Sequence, residues 1–186
     1  MLADRRHMNQ ATKPTSGTAD VIVRAARKGV AAPLGAFFLR SWKEAGPEAL
    51  GFTGANEEAI REIASKEFLS SRLASPNTRI VIAERRGEIL GFVSVRRTGK
   101  REAELSGVVV LESESGQGLG SRLVRKACKV ALGIGVVLLT VRTEAFNARA
   151  VGFYKKNGFV EMEKTTEKVG RRRIPMIVLQ RDLRRA

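Results

Sequence analysis

Val-Val-Val-Leu-Glu-Ser-Glu-Ser-Gly-Gln-Gly-Leu-Gly, residues 108–120, is the stretch of sequence that decides the fold. Three consecutive β-branched valines are typical of the end of a buried strand. Polar residues follow at 112–115, then three glycines alternate with other residues, and the apolar residues beyond them recur at helical spacing. The stretch therefore predicts a strand, a glycine-rich loop and the N-terminus of a helix, in that order.

A glycine-rich loop in front of a helix is suited to binding phosphate. Glycine lets the backbone approach a ligand closely, and the first N–H groups of a helix have no partner within the helix. The helix dipole adds partial positive charge at the same place. Two common phosphate motifs do not fit, because the last glycine of a dinucleotide fingerprint would fall on Ser121 and no Gly-Lys-Ser/Thr tripeptide occurs. Taken alone, the loop is also compatible with a tight turn before a helix.

A second stretch, residues 147–159, reads Asn-Ala-Arg-Ala-Val-Gly-Phe-Tyr-Lys-Lys-Asn-Gly-Phe and predicts another helix. Asn147 stands at its cap position, and Gly158 stands where a helix C-terminus favours a left-handed residue. Together the two stretches resemble the GNAT superfamily of acyl-CoA-dependent N-acyltransferases. The family pattern Asn-x-x-Ala-x-x-Phe-Tyr-x-x-x-Gly-Phe is present in full. The pattern Arg/Gln-x-x-Gly-x-Gly/Ala is present except for Ser115 at its first position, and the resemblance covers residues 20–181.

The order of strand-like and helix-like segments predicts the architecture. Helices are expected over residues 30–45 and 57–74 and after the two motif loops, and strands over residues 20–26, 79–84, 89–96, 102–111, 135–143, 159–166 and 172–179. This order predicts an α/β (α+β) fold with a mixed, twisted, mostly antiparallel sheet of about seven strands and helices on both faces. Residues 1–18 are predicted to form a mobile tail and residues 19–186 a single acetyltransferase domain.

The composition narrows the classes of function. The net charge of +15 suits a polyanionic cofactor or a nucleic acid. No zinc-finger spacing or basic heptad accompanies it and aromatic residues are few, so nucleic acid is not expected to be the main partner. The single cysteine, Cys128, predicts a small core residue and a cytoplasmic protein without an internal disulfide. With one histidine, His7, no metal site is expected. No apolar run is long enough for a membrane span, and both a monomer and a homodimer remain open.

The resemblance implies a cosubstrate and the residues that bind it. The cosubstrate is acetyl-CoA, and the acceptor is an amine: a protein N-terminus, a lysine or a small molecule. The family's first-motif strand splays from the next strand, so that the pantetheine arm pairs with its backbone and the Val110 N–H faces the thioester carbonyl. The residues implied in cofactor binding are Val108, Val109, Val110, Gly116, Gln117, Gly118, Leu119, Gly120, Ser121 and Asn147.

A carboxylate is the expected general base, because an alkylammonium must lose a proton before it can attack. Glu104 precedes Val110 on the same strand and is expected on the same face if side chains alternate. By resemblance, this is where histone acetyltransferases of the superfamily place their base. Glu102 and Glu144 are the reserve candidates. The alternative for Glu104 is a solvated carboxylate at the start of the strand that pairs with Lys100 or Arg101.

Tyr154 is the expected general acid, because it is the only tyrosine and occupies the Phe-Tyr position of the second motif. A phenol is protonated at neutral pH and can return a proton to a leaving thiolate. The alternative for Tyr154 is a core aromatic whose hydroxyl bonds to the backbone. The rival function for the whole chain is a non-catalytic acyl-CoA-binding module, or a basic nucleic-acid-binding module, on the same fold.

Overall fold

The computed structural model describes residues 21–45, 57–169 and 172–185. These ranges hold seven strands: β1 (Ile22–Ala25), β2 (Thr78–Arg85), β3 (Glu88–Arg97), β4 (Glu102–Val110), β5 (Leu138–Glu144), β6 (Val160–Val169) and β7 (Arg172–Asp182). They also hold five α-helices: α1 (Ala31–Ala45), α2 (Glu57–Ile63), α3 (Lys66–Ala74), α4 (Leu119–Gly133) and α5 (Ala148–Lys156). The predicted N-terminal tail lies outside the described residues.

The strands form one sheet in the order β1-β2-β3-β4-β5-β7-β6. Neighbouring strands are antiparallel except β4 and β5, which are parallel. A parallel pair needs a crossover connection, and α4 provides it. The β2–β3 hairpin turns through Arg86 and Gly87, whose φ angles of 51° and 84° are those of a tight left-handed turn. The predicted mixed, mostly antiparallel sheet is confirmed.

Helices cover both faces of the sheet, as predicted. Gly91 on β3 faces α4, since a Cβ at Gly91 would lie 3.0 Å from Leu123 Cδ1. Its neighbour Phe92 points to the opposite face, where its ring meets those of Phe37 and Phe38 of α1 edge-on at centroid distances of 5.9 and 4.7 Å. The apolar side of α4 is buried against the sheet and includes the cysteine predicted to be a core residue; its members are Leu119, Leu123, Val124, Ala127, Cys128 and Ala131.

The prediction of a single helix over residues 57–74 is wrong, because the chain forms two helices that meet at Ala64 and Ser65. The Ser65 hydroxyl accepts a hydrogen bond from the Phe68 N–H at 3.2 Å and so caps the start of α3. At the same place α1 comes very close, because a Cβ on Gly35 would lie 2.3 Å from the Ala64 carbonyl oxygen. A serine side chain that bonds to the backbone competes with continuation of the helix, so α2 ends before Ser65 and α3 begins after it. The break allows α2 and α3 to pack along α1 independently of each other.

Candidate active site

Strands β4 and β5 separate in the middle of the sheet. Their parallel pairing consists of three residue pairs, and the last joins Glu104 to Thr140. Beyond this point β5 continues to pair with β7 as far as Glu144, while β3 is the one strand of the described residues with which β4 still pairs. The Leu111 N–H bonds to the Leu90 carbonyl of β3 at 2.9 Å. Because successive N–H groups of an extended strand point to opposite sides, the Val110 N–H is directed into the gap.

A β-bulge at Gly107 and Val108 changes which side chains share a face of β4. Ser106 pairs with Ser94 and Val109 pairs with Phe92, so two β4 residues stand opposite one residue of β3. Gly107 takes a φ of +62° there, and a Cβ on it would lie 3.1 Å from the Phe92 ring.

The bulge makes one expectation wrong. Glu104 and Val110 do not share a face, because the extra residue interrupts alternation; Val109 shares the face of Glu104 instead. This affects the side chain of Val110 and not the direction of its N–H.

A cleft of about 630 Å³ lies at the gap. It brings together five of the predicted site residues, on β4, at the start of α5 and within α5: Glu104, Val108, Val109, Asn147 and Tyr154. Its floor is the face of β2–β4 that carries Ile80 and Phe92, and α1 and α3 form one wall. The remaining predicted residues, Val110 and residues 116–121, are not part of the described lining.

The glycine loop lies between β4 and α4. A short 3₁₀ turn, Glu112–Glu114, precedes it, and Glu114 ties this turn to β2 through an ion pair with Arg85 at 2.6 Å. Gly116 and Gly118 have φ angles of +76° and +78°, so both positions need glycine for their backbone conformation. No side chain of the part of the chain that the structure describes caps the start of α4 at Gly118. The first N–H groups of this helix are therefore available to an anionic group.

Gly120 has a different structural role from the other two loop glycines. A Cβ at this position would lie 3.1 Å from the Phe153 ring and 3.9 Å from Val108 Cγ1. The start of α4 thus packs closely against both α5 and β4, and the absence of a side chain permits this contact.

Helix α5 begins and ends as predicted. The Asn147 Oδ1 accepts a hydrogen bond from the Ala150 N–H at 3.0 Å and caps the helix. Gly158, with a φ of +81°, follows the last turn. The second residue of the helix, Arg149, donates from Nη2 to Ser115 Oγ at 2.8 Å. Sequence reasoning missed this contact, since no local pattern links two residues that far apart in the chain.

Tyr154 is 8% exposed and lies among aromatic rings. Its ring meets Phe153 at 5.2 Å and Phe159 at 5.7 Å, both edge-on. Burial raises its pKa to about 12, because desolvation disfavours the charged phenolate. No residue of the described ranges hydrogen-bonds its hydroxyl, so the backbone-bonded alternative has no support there. Tyr154 lines the cleft, and its phenol is neutral at neutral pH.

Glu104 lies in the cleft floor and forms an ion pair with Arg96, which is directly opposite on β3. Its side chain is 22% exposed, and its partner is neither of the neighbouring cations that sequence suggested. The reserve carboxylates Glu102 and Glu144 are absent from the described lining, whereas Glu167 of β6 is present and pairs with Arg142 at 3.3 Å.

Four further polar residues of the lining were not anticipated: Arg72, Ser94, Ser106 and Thr143. Ser94 had a sequence signal, since it is the polar residue within the otherwise apolar run of residues 89–95.

Two other features of the described ranges bear on function. No helix there is long and apolar enough to cross a membrane. No group of three or more histidine, cysteine or acidic side chains is placed to hold a metal ion in the same ranges.

Comparison with known proteins identifies the family. Residues 38–159 match the acetyltransferase (GNAT) family. The uncharacterized N-acetyltransferase YhfO of Bacillus subtilis is 33% identical over 102 residues, which are 52% of this chain and 68% of YhfO. The N-alpha-acetyltransferase RimI of Mycobacterium tuberculosis is 37% identical over 90 residues, which are 47% of this chain and 55% of RimI.

A solved structure supports the same fold. The PaiA N-acetyltransferase of Thermoplasma acidophilum, in complex with coenzyme A, is similar with a TM-score of 0.65 at 19% identity, over 87% of this chain and 98% of that chain. The chain therefore belongs to the GNAT family and is an N-acetyltransferase.

Proposed function

We propose that the protein transfers the acetyl group of acetyl-CoA directly to an amine, without a covalent enzyme intermediate. The observation that carries this proposal is the separation of β4 from β5 beyond Glu104, which opens a cleft lined by an acidic and a phenolic side chain. The described lining contains no cysteine or histidine that could carry an acetyl group. Acetyl-CoA supplies the acetyl group and departs as the thiol.

The glycine loop is the proposed site for the pyrophosphate of the cosubstrate. Its uncapped helix start offers N–H donors, and the left-handed Gly118 leaves open space where a side chain would stand. Arg149 adds a guanidinium at the same loop through its bond to Ser115. The family pattern has Arg or Gln at the position that Ser115 occupies in this chain. We therefore propose that Arg149, from α5, supplies the positive charge that Ser115 lacks.

The backbone of β4 is the proposed site for the pantetheine arm and the thioester. Beyond Glu104 this strand pairs with no described residue on the β5 side, so an amide-bearing chain can pair with it. The Val110 N–H, directed into the gap, is placed to donate to the carbonyl oxygen on which negative charge develops. A fixed donor of this kind contributes about 3 kcal/mol to lowering a barrier.

Glu104 is the proposed general base. A lysine-type ammonium has a pKa of about 10.4, so deprotonating it at pH 7 requires about 4.6 kcal/mol. Glu104 is the carboxylate that the cleft places on the β4 face shared with Val109. Arg96 holds this side chain in position while leaving a second carboxylate oxygen for the amine.

Tyr154 is the proposed general acid. With a pKa of about 12 it keeps its proton throughout the neutral range. The reaction then balances as follows. The ammonium passes one proton to Glu104, the amine nitrogen bonds to the acetyl carbon, and the carbon–sulfur bond breaks as the Tyr154 proton passes to sulfur. The nitrogen gives up its second proton as the amide forms, which restores the Tyr154 phenol, and Glu104 releases its proton to solvent.

Thiol release in the presence of acetyl-CoA and a panel of amines tests the proposal, with binding of acetyl-CoA measured separately by calorimetry. Binding together with amine-dependent release is the expected result. Binding without release for any N-terminal peptide, lysine peptide or small amine would instead indicate a non-catalytic acyl-CoA-binding module. Titration with duplex DNA tests the basic nucleic-acid module, for which we expect weak binding that falls with salt.

A further inference from the structure

Among the described residues, the cleft contains more arginine side chains than carboxylates to pair with them. Among the described residues, the charged side chains of the lining are Arg72, Arg96, Arg142, Glu104 and Glu167. Arg96 pairs with Glu104, and Arg142 pairs with Glu167. The half-buried Arg72 guanidinium makes no ion pair or hydrogen bond with any residue of the described ranges. The cleft thus presents one positive charge that a bound molecule could neutralise.

An apolar surface lies directly beside this charge. Phe68 and Arg72 both line the cleft from α3, and their spacing of four residues places them one turn apart on the same helix face. Phe68 is 38% exposed although it is a large apolar residue. Ile63 and Phe38 extend the same apolar wall.

The floor of the cleft holds a further polar group without a partner. Ser94 is 7% exposed, and its Oγ has no hydrogen-bond partner in the described structure. It lies opposite Ser106 and between Phe92 and Arg96 along β3. A serine side chain changes rotamer about a single bond, so this oxygen can turn towards a polar group that enters the floor, which would remove an unsatisfied buried hydroxyl.

We infer that the amine acceptor carries a carboxylate and an apolar body, as an apolar amino acid does. The carboxylate pairs with the Arg72 guanidinium, whose planar group of N–H donors matches the two oxygens of a carboxylate. The apolar body packs on Phe68, and the amine is directed to Glu104. The inference rests on the proposed function and names its acceptor class. Polycationic acceptors fit poorly, because both acidic side chains of the described lining are already paired.

Matched acceptors test the inference. The full chain is assayed for CoA release with apolar α- and ω-amino acids, such as leucine, phenylalanine and 6-aminohexanoate, and with the carboxamide of each. We expect the acids to be acetylated with a KM at least about tenfold lower than their carboxamides. Equal KM values, or no acetylation of any amino acid by protein that binds acetyl-CoA, would overturn the inference and leave cosubstrate binding intact. Failure to bind acetyl-CoA would instead overturn the proposed function, and the inference with it.

Arg72→Gln separates a binding role from a structural one. We expect it to raise the KM of the acids about tenfold or more, while the KM of the carboxamides and that of acetyl-CoA stay within about twofold. Arg61→Gln is the control, because Arg61 lies on α2, outside the described lining, and pairs with Glu57. If Arg72→Gln does not fold, Arg72→Lys keeps the charge without the fork and should give an intermediate KM. An equal effect on acids and carboxamides would assign Arg72 to structure alone.

Discussion

Arg149 of α5 donates a hydrogen bond of 2.8 Å to Ser115 of the glycine loop. The contact joins the two sequence motifs that identify the family, and it brings a guanidinium to the start of α4. An arginine held in this way needs little further ordering when an anion binds, since one of its donors is already fixed to the loop.

Arg149→Ala should weaken acetyl-CoA binding about fivefold to tenfold, as expected for one partly exposed charge-assisted contact. Calorimetry at low and high salt measures it, and the deficit should shrink as salt screens the charge. Lys156→Ala is the control, because Lys156 is an exposed cation at the other end of α5. An equal loss in both variants would show a general effect of net charge.

Gly118→Asp should weaken acetyl-CoA binding by at least about tenfold. The φ of +78° is strained for a side chain with a Cβ, and the new carboxylate would face the phosphates. Gly133→Asp is the control, because it places the same charge at the opposite end of α4, where there is also open space. Unchanged affinity in a folded Gly118→Asp variant would remove the loop from the binding site.

Tyr154→Phe should lower kcat by about 10²–10⁴, the usual contribution of a positioned acid or base. The ring contacts with Phe153 and Phe159 survive this change, so the protein should stay folded and the affinity for acetyl-CoA should barely move. Pre-steady-state kinetics measures the chemical step separately from product release. Wild-type kcat in the variant would leave Tyr154 as a packing residue.

The ionisation of Tyr154 can be observed directly, because it is the only tyrosine of the chain. Its folded-state pKa of about 12 predicts that phenolate absorbance near pH 11 reaches only about a tenth of its full value in the native protein. Denaturant should restore a pKa of about 10 and bring the absorbance out. The folded state then holds the extra proton, so this residue's contribution to stability falls as pH rises from about 10 to 12. Native absorbance at pH 10 would contradict the burial.

Glu104→Gln should lower kcat most at neutral pH and progressively less as pH approaches the pKa of the acceptor amine. An amine that is already deprotonated in solution needs no base, which is why the deficit should close at high pH. The pH profile of kcat measures this, with Glu102→Gln and Glu144→Gln as controls. A deficit that is constant with pH would indicate that Glu104 only positions Arg96.

Local chemistry made much of the fold predictable. The Asn147 cap, the left-handed Gly158 and the valine run before the glycines each depend on neighbours in sequence, and each is where it was expected. The break at Ser65 was less accessible, because the helical pattern continues across it and the close approach of Gly35 comes from another part of the chain.

The candidate site was predictable in its members more than in its geometry. The bulge at Gly107 shifts one strand face, and alternation alone cannot reveal an inserted residue until the pairing with β3 is known. The pairing of Glu104 with Arg96 and the contact between Arg149 and Ser115 likewise depend on which strands and helices become neighbours in space.

The packing of Gly120 against Phe153 couples the glycine loop to helix α5, which lines the cleft. Phe153 packs against the start of α4, and the next residue, Tyr154, lines the cleft. Adjacent positions on a helix project about 100° apart, so one turn of α5 separates the glycine loop from Tyr154, the proposed proton donor. A bulkier residue at Gly120 would push Phe153 and this turn of α5 away from α4. It would thereby displace Tyr154, the proposed proton donor, without contacting it.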